Sequence, residues 1–355
     1  MGNKLKHVEI ENRYNITDII EKICHRSSND LQQLKNANIL FTGASGFFGF
    51  WFLQVLIYLN EIGEFCGQLF VITRDRKSFV SNFAMFAMVE KLGWIHIIEG
   101  DIRKVRITDF KPDHLIHFAS TSATETFNKA EQISKLDTLY NGTKNIIEQC
   151  GDSLKKVLFA SSAAAYGYSE SETKMRESAY SMVHSQNATF ALCLGKLAAE
   201  FQINQYANKY NFDFNIARCF SFAGEFMPLN LHYAFGNFIR DAERGDKIII
   251  EGDGSAVRSY MYVGDAISWF ITLLARPKNE ILNVGSDELV TIKELAEAIA
   301  TQAGTSTVIL GNSNFEGNFS RSFYAPDLTR VYQLYPELEL SMNFREIIER
   351  MFDGK

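Results

Sequence analysis

Thr42-Gly43-Ala44-Ser45-Gly46-Phe47-Phe48-Gly49 places three glycines at intervals of three. A short apolar run, Ile39-Leu40-Phe41, precedes them, and an apolar helical pattern from Phe50 to Leu59 follows. A strand, a glycine turn and a helix in that order suit the binding of a dinucleotide. Glycine permits the tight turn and lets the backbone approach a pyrophosphate with no Cβ between them. The helix then offers N–H donors and the positive end of its dipole. The flanking strand and helix make the pattern more specific than its glycines alone. The expected cofactor contacts are Gly43, Ser45, Gly46, Phe47, Phe48 and Gly49.

The next apolar run, Leu69 to Thr73, ends in Arg74-Asp75-Arg76. An acidic side chain at the end of a second strand bonds the adenosine ribose of NAD. Arg74 holds that place, and a guanidinium suits a 2′-phosphate or stacks on adenine. Asp75 beside it keeps NAD open, so the cofactor is read as NAD or NADP. After the third run, Gly100-Asp101-Ile102 offers Asp101 and Ile102 to the adenine end.

These segments need a scaffold. Further apolar runs occur at Ile95 to Ile98, Leu115 to Phe118, Val157 to Ala160 and Phe214 to Cys219, with helical patterns at about 47–60, 78–92, 124–150 and 190–209. Strands that are apolar throughout, separated by helices, predict a parallel sheet covered on both faces. The fold class is α/β, a Rossmann-type doubly wound sheet with a smaller C-terminal substrate domain. Residues 1–36 read as a helical extension. Residues 37–222 plus about 259–285 form the dinucleotide domain, and 223–258 with 286–355 the substrate domain.

Composition narrows the function. The 355 residues are 46% hydrophobic and 22% charged, and 36 basic against 42 acidic side chains leave a net charge of −6. Nucleic-acid binders usually show the opposite balance. The run from Phe47 to Leu59 is shorter than the ~20 residues that cross a bilayer, and the N-terminus lacks an apolar signal segment. The five cysteines show no CxxC pair, which argues against zinc or disulfide scaffolds and fits a reducing cytoplasm. The expectation is a cytoplasmic enzyme without metal, membrane or nucleic acid.

The ordered set of motifs resembles the extended short-chain dehydrogenases/reductases that act on nucleotide sugars. It comprises Gly43 to Gly49, Gly100-Asp101-Ile102, Leu115-Ile116-His117-Phe118-Ala119, Asn141-Gly142-Thr143-Lys144-Asn145, Ser161-Ser162 with Tyr166-Gly167, and Lys196 with Ala199-Glu200. Arg218-Cys219-Phe220, Gly252-Asp253-Gly254, Arg258, Tyr262-Val263 and Asn283-Val284-Gly285 complete it, from residue 38 to about 335. The resemblance implies a nucleoside diphosphate sugar as substrate, Arg258 on its diphosphate, and Ala119 beside the cofactor. It also implies substrate contacts at Thr121, Ser162 and Ser221, although many members carry Asn at the place of Ser221. A homodimer or dimer of dimers through the helices at 124–150 and 190–209 is implied as well.

The family chemistry begins with hydride transfer from the sugar, usually at C4, to the nicotinamide. A Tyr takes the hydroxyl proton, a Lys four residues on lowers its pKa and bonds the nicotinamide ribose, and a Ser or Thr holds the oxygen. Ser162 and Lys196 match the last two, but Leu192 stands where the Tyr belongs. Another group must then move the proton: His184 is the first choice, with Tyr180, Tyr166 and Lys196 as alternatives. Dehydratases of the family follow the Ser/Thr with an acid pair, whereas this chain has Ala163-Ala164. The resemblance thus implies a 4-epimerase or C4 dehydrogenase serving surface polysaccharide or deoxysugar synthesis. A 4,6-dehydratase with rearranged acid/base groups, or a non-catalytic nucleotide-sugar or dinucleotide binder, is the alternative.

Overall fold

The computed structural model describes residues 15–82, 93–108, 110–120, 132–167, 173–184, 186–187, 190–231, 233–311 and 322–352. The chain divides into two compact units, one of residues 1–165, 190–217 and 267–281, the other of 166–189, 218–266 and 282–355. The segment 166–189 thus groups with the second unit, whereas the sequence reading placed it in the dinucleotide domain. Contacts remote in sequence decide that membership, and no composition shift marks it.

The sheet of the first unit is built on β1 (Ile39–Thr42), β2 (Leu69–Thr73), β3 (Ile95–Glu99), β4 (His114–His117), β5 (Lys156–Ser162), β6 (Asp213–Cys219) and β11 (Glu280–Val284), the last residues of β6 and β11 being counted with the second unit. Their order is β11-β6-β5-β4-β1-β2-β3. The pairs from β3 through β5 are parallel, with Thr42 opposite His117 and His117 opposite Phe159. The order reverses between β1 and β4, where open α/β sheets form their ligand crevice at the strand C-termini. The expected doubly wound sheet is therefore present.

Helices α3 (Phe47–Glu61), α4 (Arg76–Asn82), α5 (Gln132–Cys150) and α6 (Ala191–Tyr210) connect these strands. The start expected for α5 near residue 124, and the end expected for α4 near 92, lie outside the described residues. On one face, Leu40, Leu115, Val157 and Phe159 pack with Ile146, Ile147 and Ile203. Elsewhere in the unit Phe41, Phe52, Phe118 and Phe270 meet ring to ring. Burying a large apolar side chain contributes about 1.5–3 kcal/mol.

Helix α3 is apolar on nearly every side and needs a second cover. The first helices, α1 (Ile16–Arg26) and α2 (Ser28–Leu34), belong to that cover. Asn15 caps α1 by accepting from the Asp18 N–H at 3.2 Å. Ile19, Ile20 and Ile23 are buried, and α1 packs on α3. Asp30 on α2 accepts from Thr272 Oγ1 and Arg276 Nε, each at 2.6 Å. The described part of the N-terminal extension is thus built into the first unit.

Among the described residues the second unit holds three small sheets. They pair β7 (Phe222–Ala223) with β10 (Met261–Tyr262), β8 (Ile248–Ile250) with β13 (Thr307–Ile309), and β9 (Val257–Arg258) with both β12 (Val290–Thr291) and β14 (Phe323–Tyr324). Its described α-helices are α7 (Ala234–Glu243), α8 (Val263–Ala275, which continues into the first unit), α9 (Ile292–Ala303), α10 (Thr329–Leu334) and α11 (Phe344–Phe352). Thr291 and Glu294 close a capping box on α9. Buried Glu225 accepts from Tyr262 Oη at 3.2 Å and from Arg350 Nε.

Candidate active site

The glycine turn joins β1 to α3 at the C-terminal end of the sheet. Gly43 has φ +81°, and a Cβ there would come within 2.5 Å of the Ala119 nitrogen. A Cβ at Gly49 would lie 2.3 Å from the Gly43 carbonyl oxygen. Both glycines are therefore required by the protein's own packing. Gly46 differs: its φ of −81° is ordinary, and a Cβ would meet nothing nearer than that same oxygen at 3.3 Å. Ser45 and Gly46 are exposed on the crest of the turn. The α3 N-terminus carries no side-chain cap and no acidic residue in its first turn. An exposed crest without a Cβ, before an uncapped helix of positive polarity, fits a pyrophosphate.

Where the sequence reading places the adenosine, Arg74 is exposed beyond β2, and Asp75 caps the following helix by accepting from the Ser78 N–H at 2.9 Å. Asp101 accepts from Arg103 Nε at 3.0 Å and Nη2 at 2.5 Å, and Arg103 Nη1 reaches Asp137 at 2.6 Å. These bonds hold the Asp101 carboxyl down to about 2. Ile102 is buried against α5 at Gly142, where any Cβ would strike its Cδ1.

Between the crest and β5 lies a fully buried relay that sequence reading quoted without a role. Thr42 Oγ1 accepts from the Ala119 N–H at 3.2 Å and lies 2.7 Å from His117 Nδ1. His117 Nε2 lies 3.0 Å from Thr143 Oγ1, which donates to the Leu139 carbonyl at 2.7 Å. Each proton then has one place: Thr42 donates to Nδ1, and Nε2–H donates to Thr143. Burial first, and the positive Lys196 second, push His117 down to about 3, so the ring is neutral. The relay ties Ala119, at the end of β4, to the strand that launches the glycine turn.

Lys196 sits on α6, 4% exposed. Its Nζ donates to the Ala160 carbonyl at 2.7 Å and lies 4.7 Å from the Phe159 ring centroid. One turn on, buried Glu200 accepts from Ser161 Oγ at 2.5 Å. The two bonds clamp α6 onto successive residues of β5, which ends at Ser162. Ser162 Oγ accepts from the Ala164 N–H at 3.1 Å, leaving its hydroxyl proton for another acceptor. Ser162 and Lys196 thus belong to one strand–helix clamp of the first unit.

The proposed substitutes for the missing phenol fare differently. Tyr166 is buried, donates to Asn283 Oδ1 at 2.6 Å, and has the Arg218 guanidinium 4.5 Å from its ring centre. Burial pushes its phenol up to about 12, which unsuits it as a base at neutral pH. Tyr180 and His184 are exposed residues of the second unit, and the His184 carbonyl accepts from the Asn187 N–H at 3.0 Å. Ser221 and Arg258 also belong to that unit. The Ser221 carbonyl accepts from the Met261 N–H, and Arg258 Nη1 donates to the Val257 carbonyl at 2.8 Å. Thr121 lies outside the described residues. Among the described residues no His/Cys/Asp/Glu group could hold a metal ion, and no helix is long and apolar enough to cross a membrane.

The chain is similar to known proteins. A UDP-N-acetyl-alpha-D-glucosaminuronate decarboxylase of Bacillus cytotoxicus is 28% identical over 67% of this chain and 76% of its own. A putative UDP-glucose 4-epimerase of Methanocaldococcus jannaschii is 25% identical over 88% of this chain and 98% of its own. The crystal structure of the UDP-glucuronic acid 4-epimerase from Bacillus cereus superposes with a TM-score of 0.70 at 20% identity, covering 89% of this chain and 98% of that one. The likeness in structure speaks for the fold. Residues 39–285, from the first strand of the sheet to the end of its last, match a single family model, and the chain belongs to the NAD dependent epimerase/dehydratase family.

Proposed function

We propose that the protein oxidises and reduces a nucleoside diphosphate sugar at C4, as a 4-epimerase or C4 dehydrogenase, with NAD or NADP. The observation that carries this reading is the clamp of Lys196 and Glu200 on β5 beside Ser162, at the same end of the sheet as the glycine turn. A chain released from catalysis would have no chemical need to keep Ser162 together with this lysine. The Gly46 crest and the α3 N-terminus would hold the pyrophosphate, and Arg74, Asp101 and Ile102 the adenosine end. Ala119 and Lys196 would face the nicotinamide riboside. The bound dinucleotide supplies the hydride acceptor. Ser162, whose oxygen already accepts from Ala164, donates its proton to the sugar oxygen and fixes it. In the second unit, Arg258 would meet the diphosphate.

Ala163 and Ala164 cannot protonate a leaving hydroxyl, so elimination of water lacks its acid. Decarboxylation does not need that acid, because a 4-keto uronic acid is a β-keto acid and loses carbon dioxide once formed. The similarity to a nucleotide-sugar decarboxylase makes this the second reading.

The test is incubation with NAD or NADP and a panel of UDP-glucose, UDP-N-acetylglucosamine, UDP-glucuronic acid and dTDP-glucose, followed by product mass. An isomer of equal mass, or a keto sugar with reduced cofactor, is expected. Loss of carbon dioxide from the uronic acid alone would select the second reading. A product lighter by one water would overturn both, and binding without any product would make the chain a binder.

The same reading includes a homodimer through α5 and α6. These helices pack together, and α5 exposes Ile133 and Tyr140, seven residues apart on one face, while Phe201 on α6 is 66% exposed. Large apolar side chains on adjacent helices favour a two-fold contact. Phe201→Glu is expected to convert the dimer to a species of 40.3 kDa in sedimentation, and an unchanged assembly would exclude this face.

A further inference from the structure

The reaction proposed above needs a proton acceptor, and Leu192 cannot be one. Among the described residues a second buried lysine, besides Lys196, stands near the level where the phenol is missing. Lys135, in the first turn of α5, is 2% exposed, and its Nζ donates to Gln132 Oε1 at 3.0 Å.

Its height in the fold follows from contacts farther down the helices. Helices α5 and α6 pack side by side and run in the same direction, because Gly195 lies against Leu139 near their starts and Tyr206 Oη donates to Glu148 Oε1 at 2.7 Å farther along both. Gly195 on α6 faces Leu139 on α5, since a Cβ at Gly195 would lie 2.5 Å from Leu139 Cδ1. One turn toward the N-terminus of each helix, Lys135 comes level with Ala191 and Leu192.

The sheet gives the same height. Thr143 Oγ1 contacts His117, which pairs with Phe159. Lys135 lies eight residues before Thr143 on α5, about 12 Å toward the ligand end of the sheet. Ser162 lies three residues beyond Phe159 on β5, about 10 Å in the same direction. Helical side chains lean toward the N-terminus, which carries the amine farther that way.

From this placement we propose that Lys135 is the acid–base residue that replaces the tyrosine of the family. The assignment rests on the C4 oxidoreductase reading. As a neutral amine, Lys135 accepts the proton of the sugar hydroxyl, so an O–H bond breaks and an N–H bond forms. The C4–H bond gives its electron pair to the oxidised dinucleotide, and C4–O becomes a carbonyl. In the return step the ammonium gives the proton back as the hydride returns to C4. Burial supports the role, because it lowers the lysine's pKa and favours the uncharged form.

The experiment uses the full chain with NAD or NADP and whichever of UDP-glucose, UDP-N-acetylglucosamine, UDP-glucuronic acid or dTDP-glucose the wild type converts. Lys135→Met is expected to bind dinucleotide and sugar nucleotide within about twofold of wild type, measured by calorimetry, while single-turnover hydride transfer falls about a hundredfold. Lys135→Ala should regain rate with added ethylamine, in proportion to the free base. Hydride transfer at the wild-type rate in Lys135→Met would overturn the assignment and leave the C4 reading intact. Weakened binding without amine rescue would also overturn it, by making Lys135 structural. No hydride transfer by the wild type on any of these sugars would overturn the reading beneath it, and the assignment with it.

Discussion

Lys196→Ala is expected to lower hydride transfer by between about 10² and 10⁴-fold. The lysine stands on the clamp that joins α6 to β5, with its ammonium on the Ala160 carbonyl, so its position is set before any ligand arrives. That pre-organisation is what a group facing the nicotinamide ribose contributes, because ordering it costs nothing during the reaction. Truncation also leaves a small cavity beside Phe159 and removes one partner of a buried carbonyl, so some stability is lost. Lys196→Met separates the two effects. Its similar length refills the space, and it should unfold close to the wild-type temperature while staying about as slow as the alanine variant. A methionine variant with wild-type turnover would remove Lys196 from the chemistry.

Much of this arrangement was legible in the residues. Ile39 to Thr42 and Leu69 to Thr73 are apolar without alternation, and strands buried on both faces have that composition. The glycine turn was readable because its glycines answer local demands: a positive φ at Gly43 and a close approach at Gly49. Ordered motifs single out Ser162 and Lys196, which stand on β5 and α6, the strand and helix that the Lys196 and Glu200 bonds join. What stayed hidden depends on partners far apart in the chain. The tautomer of His117 is set by Thr42 and Thr143, 75 and 26 residues away. Asp30 finds Arg276 across 246 residues, so nothing local told that the N-terminal helices would cover the sheet domain. Tyr166 looks in sequence like an available phenol, but it is buried and donates its hydroxyl to Asn283, 117 residues on. No motif singles out Lys135, because its burial and its height beside α6 come from packing between helices.

The glycines of the turn should separate by experiment as they do by geometry. Gly46→Val is expected to keep the fold and lose the dinucleotide. The backbone there is extended, as any residue can be, and among the described residues the new Cβ has only the Gly43 oxygen within 4 Å, at 3.3 Å. The methyl groups would project from the crest where the pyrophosphate is proposed to approach the α3 N-terminus. Two lost bonds to a charged phosphate, each about 1.5–3 kcal/mol, amount to at least about 3 kcal/mol, or more than a hundredfold in affinity. Gly49→Val should behave differently. Its Cβ would sit 2.3 Å from the Gly43 carbonyl oxygen and 2.5 Å from Ala44 Cα, both backbone, so α3 must move off the turn. That variant is expected to lose melting temperature along with affinity. Calorimetric titration with NAD and NADP, run beside thermal unfolding, reads both quantities in each protein. Wild-type affinity in Gly46→Val would mean that the pyrophosphate lies elsewhere and that the glycine serves only the turn.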